Sequence, residues 1–184
     1  IQAQTEVTSL EVGHNYIVDL GPLSGMSKLN DLSVRDNNIS SIDVLASIPD
    51  LQLRSLDLSG NPIADLSPIR SQVMLRALTA DNCPVEDISA IEGMSELRKL
   101  SLHNARVQDM MVLGRIPGLR LEWLDIRNNA VTNLSPLLGQ DQLEVLWLES
   151  NPLSQYSHCF CLPVIQQQNP DLDLRAGANP YDCS

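Results

Sequence analysis

His158, Cys159, Cys161 and Cys183 lie close together near the end of the chain, and their side chains offer two chemistries. The first is a disulfide. Cys183 joined to either Cys159 or Cys161 would close a loop worth about 3 kcal/mol in the chain-entropy model. A bridge pinning a tail in this way suits only an oxidising compartment. The second chemistry is zinc, for which one imidazole nitrogen and three thiolates form a ligand set. Cys-x-Cys is poor zinc spacing, however, and no Cys-x-x-Cys knuckle accompanies it, so the disulfide is the preferred reading and no metal site is assigned. The cysteine left over is free or links to another chain.

Trp123 and Trp147 are the only tryptophans. Arg127, Asp125, Lys99, His103 and Glu149 lie within a few tens of residues of them. Tryptophan beside arginine is the usual make-up of a protein-interface hot spot, and a pair of indoles can also form a platform for a sugar ring. These residues act together only if the fold places them on one surface.

The positioning element is a repeat. L-x-x-L-x-L-x-x-N reads as Val7, Leu10, Val12, Asn15, then Leu29, Leu32, Val34, Asn37, then Leu53, Leu56, Leu58, Asn61. It continues as Leu75, Leu78, Ala80, Cys83, then Leu97, Leu100, Leu102, Ala105. The last two repeats are Leu121, Leu124, Ile126, Asn129 and Leu143, Leu146, Leu148, Asn151. The starts are 22, 24, 22, 22, 24 and 22 residues apart. A fixed period of this size marks a solenoid with one supersecondary unit per repeat.

Leu-x-Leu is the period-2 signature of a short strand with both leucines inward. Repeats entered in one direction stack as a parallel sheet. The Asn sits where the chain leaves the strand, and its amide can satisfy turn backbone groups. Leaving such a group unpaired costs about 1–3 kcal/mol. Cys83 and Ala105 interrupt this ladder. Cys83 is expected as a buried free thiol capable of a weak hydrogen bond. Ala105 cannot substitute at all, so the centre of the array should be its softest point.

The second half of each repeat reads Ile17-Val18-Asp19-Leu20-Gly21-Pro22-Leu23, Ile63-Ala64-Asp65-Leu66-Ser67-Pro68-Ile69 and Val131-Thr132-Asn133-Leu134-Ser135-Pro136-Leu137. Ser-Pro suggests a capping hydroxyl followed by a residue of fixed φ. The span allows only short 3₁₀ turns on the convex side. The two longer repeats carry their extra residues at Pro49-Asp50-Leu51-Gln52 and Pro117-Gly118-Leu119-Arg120.

The spacing with I-x-D-L-x-P-L resembles the leucine-rich repeats of the internalins and of nuclear phosphatase regulators, over residues 7 to 153. The resemblance implies an α/β solenoid, a right-handed horseshoe with a parallel concave sheet. It also implies a C-terminal cap in which a helix over 158–168 and a strand at Asp171-Leu172-Asp173-Leu174 close the core. The expected organisation is a repeat array over 1–153 and a cysteine-bearing cap over 154–184. Residues 1–6 are too few for a helical cap and carry no hydrophobic signal segment. Either a leader has been removed or the chain comes from something longer.

Outward positions fall into three columns. The first is Ser9, Asp31, Ser55, Ala77, Lys99, Trp123, Val145. The second is Glu11, Ser33, Asp57, Thr79, Ser101, Asp125, Trp147, and the third is Gly13, Arg35, Ser59, Asp81, His103, Arg127, Glu149. The N-terminal strands therefore present small and acidic groups, while the later ones present both tryptophans. Strands about 4.8 Å apart put Trp123 and Trp147 within reach of one another. They form either a partner-binding patch or a cover for the cap, and His103 at such a patch would make binding vary between about pH 6 and 7.

No hydrolase elbow, phosphate loop or metalloprotease motif is present. Bacterial leucine-rich-repeat ubiquitin ligases carry a separate catalytic domain with a Cys-x-Asp motif, and this sequence lacks both. A net charge of −11 and a pI near 4.5 argue against nucleic acid as a partner. No apolar run approaches the about 20 residues of a membrane helix. The leading expectation is a non-enzymatic module without cofactors, binding a protein on its concave face. It is expected to be bacterial and extracytoplasmic: secreted, periplasmic or at the cell surface. The alternatives are a cytoplasmic scaffold resembling the phosphatase regulators and a glycan-binding surface protein.

Overall fold

The structure, a computed structural model, describes residues 6–183. The expectation about the stretch ahead of the first repeat falls mainly on residues 1–5, which lie outside the described residues. Eight three-residue strands run in sequence order in one parallel sheet. They are β1 Ser9–Glu11, β2 Asp31–Ser33, β3 Ser55–Asp57, β4 Ala77–Thr79, β5 Lys99–Ser101, β6 Trp123–Asp125, β7 Val145–Trp147 and β8 Asp173–Arg175. Each strand pairs with the next in strict register, so Leu10, Leu32, Leu56, Leu78, Leu100, Leu124, Leu146 and Leu174 form one inward column. From Leu32 to Leu146 that column is buried, while Leu10 and Leu174 at its ends are only partly so. Each such leucine contributes about 1.5–3 kcal/mol of transfer free energy.

The chain leaves each of β1 to β7 through a left-handed residue placed immediately before the ladder position. These residues are His14, Asp36, Gly60, Asn82, Asn104, Asn128 and Ser150. Gly, Asn and Asp tolerate that conformation best. Each ladder side chain ties its own repeat to the one before it. Asn61 donates to Val34 O and Leu58 O, and its Oδ1 accepts from the Ile39 amide. Asn37, Asn129 and Asn151 repeat the pattern. Cys83 is fully buried and free, and its thiol reaches Leu58 O at 3.3 Å. Burial pushes that thiol's pKa up. At Ala105 no side chain can serve the Val85 amide, which turns instead to the carbonyl of Cys83 at 2.8 Å.

Short 3₁₀ turns line the convex side at Gly21–Gly25, Ser67–Ile69, Ser89–Ile91, Leu113–Arg115 and Ser135–Leu137, with one α-helical turn, α1, at Val44–Ser47. The capping expectation needs correcting, because no serine hydroxyl caps these turns. The residue two positions earlier does so. Asp19, Asp65, Asp87, Asp109 and Asn133 accept from the backbone amides of Gly21, Ser67, Ser89, Met111 and Ser135 at 2.7–2.9 Å. This is the Asx turn, in which a short carboxylate or amide bonds the backbone two residues on.

The extra residues of the two longer repeats bring additional buried leucines, Leu51 and Leu119. The amides that follow them in the core are received by buried glutamines. Leu53 N donates to Gln72 Oε1 and Leu121 N to Gln140 Oε1. In the cap, a π-helical turn at Ser157–Cys161 runs into α2, Leu162–Gln168, so the expected helix opens with a wider turn. The buried Ser157 hydroxyl bridges the cap to the array, donating to Thr132 O and accepting from the Leu134 amide. The terminal strand begins two residues later than the alternation suggests and ends on Arg175. No helix among the described residues is long and apolar enough to cross a membrane.

Candidate partner-binding surface

The register sets the site. Lys99, Trp123 and Val145 occupy one outward column, and Ser101, Asp125, Trp147 and Arg175 the next. Trp123 and Trp147 therefore stand diagonally on neighbouring strands, with ring centroids 4.9 Å apart and planes at 66°. That edge-to-face arrangement is favoured by the ring quadrupoles.

Cations surround the pair. Lys99 Nζ lies 5.3 Å from the Trp123 ring. Arg127, just past β6, and Arg175, on β8, hold their guanidinium carbons 4.4 and 4.3 Å from the Trp147 ring, one from the strand on either side. Contacts of this kind contribute about 0.5–1 kcal/mol at exposed sites. Arg127 is further held by Asp125, through Nε to Oδ1 at 2.9 Å and Nη2 to Oδ2 at 2.6 Å. Asp125 is buried, so this fork is partly shielded from water. Those hydrogen bonds raise the guanidinium pKa still further.

Trp147 also donates its indole N–H to Asp173 Oδ2 at 2.9 Å, and Arg175 pairs with the same carboxylate at 3.6 Å. Both indoles are half-buried. Their edges and faces are thus fixed before any partner arrives, which lowers the side-chain ordering cost of binding.

Of the seven residues expected at this surface, Lys99, Trp123, Asp125, Arg127 and Trp147 form one contact cluster. His103 and Glu149 stand on its margin. His103 Nε2 lies 2.8 Å from Asn128 Nδ2, and its backbone amide donates to Asp81. Glu149 is half-buried and adds to the acidic field around Arg127. Asp173 and Arg175 were absent from the expected site because they belong to the terminal strand. Their signal was the alternation that already suggested a strand there.

The cysteines divide plainly. Cys159 is bonded to Cys183, while Cys161 is a buried free thiol that burial keeps protonated. The disulfide holds the tail against the cap, where Tyr181 donates its hydroxyl to Leu153 O and its ring approaches His158. His158 is buried, and no cluster suited to a metal ion occurs among the described residues.

A leucine-rich repeat family model matches residues 5–68. No curated protein matches the sequence. Among solved structures, the chain is similar to an internalin, InlF, from Listeria monocytogenes. The two are 27% identical with a TM-score of 0.75, over 97% of this chain and 57% of that one. The chain thus spans a little over half the length of that relative. Internalin C2 from the same organism is 22% identical with a TM-score of 0.73, over 96% of this chain and 77% of that one. The ectodomain of the Arabidopsis thaliana receptor kinase GASSHO1/SCHENGEN3, solved in complex with CASPARIAN STRIP INTEGRITY FACTOR 2, is 19% identical. Its TM-score is 0.65, over 81% of this chain and 19% of that one. The last two likenesses concern the fold alone.

Proposed function

Because the chain is a leucine-rich repeat solenoid of internalin-like build, we propose that it is a non-enzymatic recognition module binding a protein on the C-terminal half of its concave sheet. The carrying observation is the pre-formed Trp123–Trp147 pair with Lys99, Arg127 and Arg175 packed against it. Rigid aromatic anchors flanked by arginine are what hot spots are made of. The N-terminal columns offer Glu11, Asp31 and Asp57 with little apolar area.

The Cys159–Cys183 bond supports an extracytoplasmic setting. The likeness to a Listeria protein along nearly the whole chain supports a bacterial source. The test is affinity capture with the parent chain as bait, followed by binding of the captured protein to Trp123→Ala and Trp147→Ala, each checked for an unchanged circular dichroism spectrum. Both should bind far more weakly than the parent. Capture of nothing, combined with quenching of tryptophan fluorescence by glycans, would move the reading to carbohydrate.

A further inference from the structure

Two independent features single out the joint between the fourth and fifth repeats. On the turn side, the rung that would cross this joint falls on Ala105, while Cys83 bonds back to Leu58 O of the third repeat. The Val85 amide bonds within its own repeat, and only its carbonyl is reached across the joint, by the Arg106 amide. On the convex side, the turns pack closely one on the next from Gly21–Gly25 through α1 and Ser67–Ile69 to Ser89–Ile91, and again from Leu113–Arg115 to Ser135–Leu137. Between Ser89–Ile91 and Leu113–Arg115 that close packing lapses. The fifth repeat is one of the two longer ones, and its turn begins 24 residues after the preceding one, against 22 for the steps on either side.

A cleft of about 390 Å³ opens at this place, with Ile88 and Val112 in its floor and Glu86, Arg106, Gln108 and Arg115 around it. The concave side is fully joined, while the turn side is tied by the Arg106 amide on Val85 O and by Asn104 Nδ2 on Asn82 Oδ1. β4 pairs with β5 along its length, and Asp81 accepts from the Ser101 hydroxyl and the His103 amide.

We propose that this joint is a flexure: the array bends about the β4–β5 pairing and opens on its convex side through this cleft. In a solenoid, stability is close to a sum of repeat and nearest-neighbour interface terms. A joint lacking both a ladder amide and turn packing therefore opens at lower free energy than its neighbours. The flexure falls where the concave face changes character, between the small and acidic columns of β1–β4 and the column residues Lys99, Trp123 and Trp147 of β5–β7. Bending there alters the distance between the two halves while leaving each half rigid.

The buried thiols report on this directly. Cys83 lies at the joint and Cys161 in the cap, and both are inaccessible in the closed form. Under native conditions a thiol reagent should label Cys83 faster than global unfolding permits, with Cys161 reacting more slowly. Ala105→Asn, which restores the missing rung, should slow Cys83 labelling at least fivefold and leave Cys161 unchanged. In the parent chain the Val85 amide should exchange its hydrogen at least tenfold faster than Ile39 and Val107, whose amides bond to Asn61 and Asn129. Cys83 labelling only at the rate of global unfolding, or Val85 protected as well as Ile39 and Val107, overturns the proposal. The exchange comparison uses the parent alone, so it decides the matter even if Ala105→Asn does not fold.

Discussion

Gln72 Oε1 accepts a hydrogen bond from the Leu53 amide at 2.9 Å, with both groups buried. Gln140 does the same for Leu121 at 3.1 Å. Each of these amides follows the extra residues of a longer repeat, where the chain bends away from the regular ladder and its N–H would otherwise be orphaned. Gln72→Leu should therefore lower stability by about 1–3 kcal/mol, the cost of a buried unsatisfied donor. The denaturant midpoint measures it, and an unchanged midpoint would mean that the Leu53 amide finds another partner.

The regular ladder gives a second test. Asn61→Ala removes hydrogen bonds to Val34 O and Leu58 O together with the acceptor for Ile39 N. The loss should be at least about 2 kcal/mol, because several buried backbone groups lose their partner at once. A loss below that of Gln72→Leu would contradict the ladder's role.

Much of this was legible in the letters alone. Leu-x-Leu spacing placed all seven array strands and their register, and that register put Trp123 beside Trp147. The glutamines went unread because a lone Gln belongs to no recognised repeat position. Their signal is Ser67-Pro68 and Ser135-Pro136 followed by Gln at the same distance, and only after a longer repeat. The turn caps were misread for a related reason. Ser-Pro suggests a hydroxyl cap, but the Asp or Asn two residues earlier caps the turn instead, by accepting from the serine's own amide. Arg175 and Asp173 escaped because the terminal strand lacks the repeat motif.

Those caps give a pH dependence. The Ser67 amide, and after it the Ser67 hydroxyl, hold the Asp65 carboxyl below the ordinary aspartate range. A depressed folded-state pKa contributes stability that is present above the unfolded value and is lost as pH falls through the folded one. Asp65→Asn keeps an acceptor at this position, as Asn133 does in its own repeat, but cannot titrate. The variant should lose less stability than the parent between neutral and acid pH. Parallel acid curves would contradict this.

The disulfide offers a fourth test. The Cys159–Cys183 bond spans 24 residues, so its removal by Cys183→Ser should cost about 3 kcal/mol in the chain-entropy model. Alkylation of the unfolded, unreduced chain should modify only Cys83 and Cys161, and mass measurement reads the count. Four modified cysteines would mean that the bond does not form.

The central claim is that recognition belongs to the Trp123–Trp147 end of the concave sheet. Its most direct test is the affinity of the captured protein for Trp147→Ala and for Asp31→Ala, compared with the parent in the same titration. Trp147→Ala should weaken binding by about 2 kcal/mol or more, roughly thirtyfold, as loss of a hot spot does. Asp31→Ala should remain within about threefold of the parent. Full binding by Trp147→Ala alongside failure of Asp31→Ala would place the site on the acidic strands and leave the tryptophans as cover for the cap.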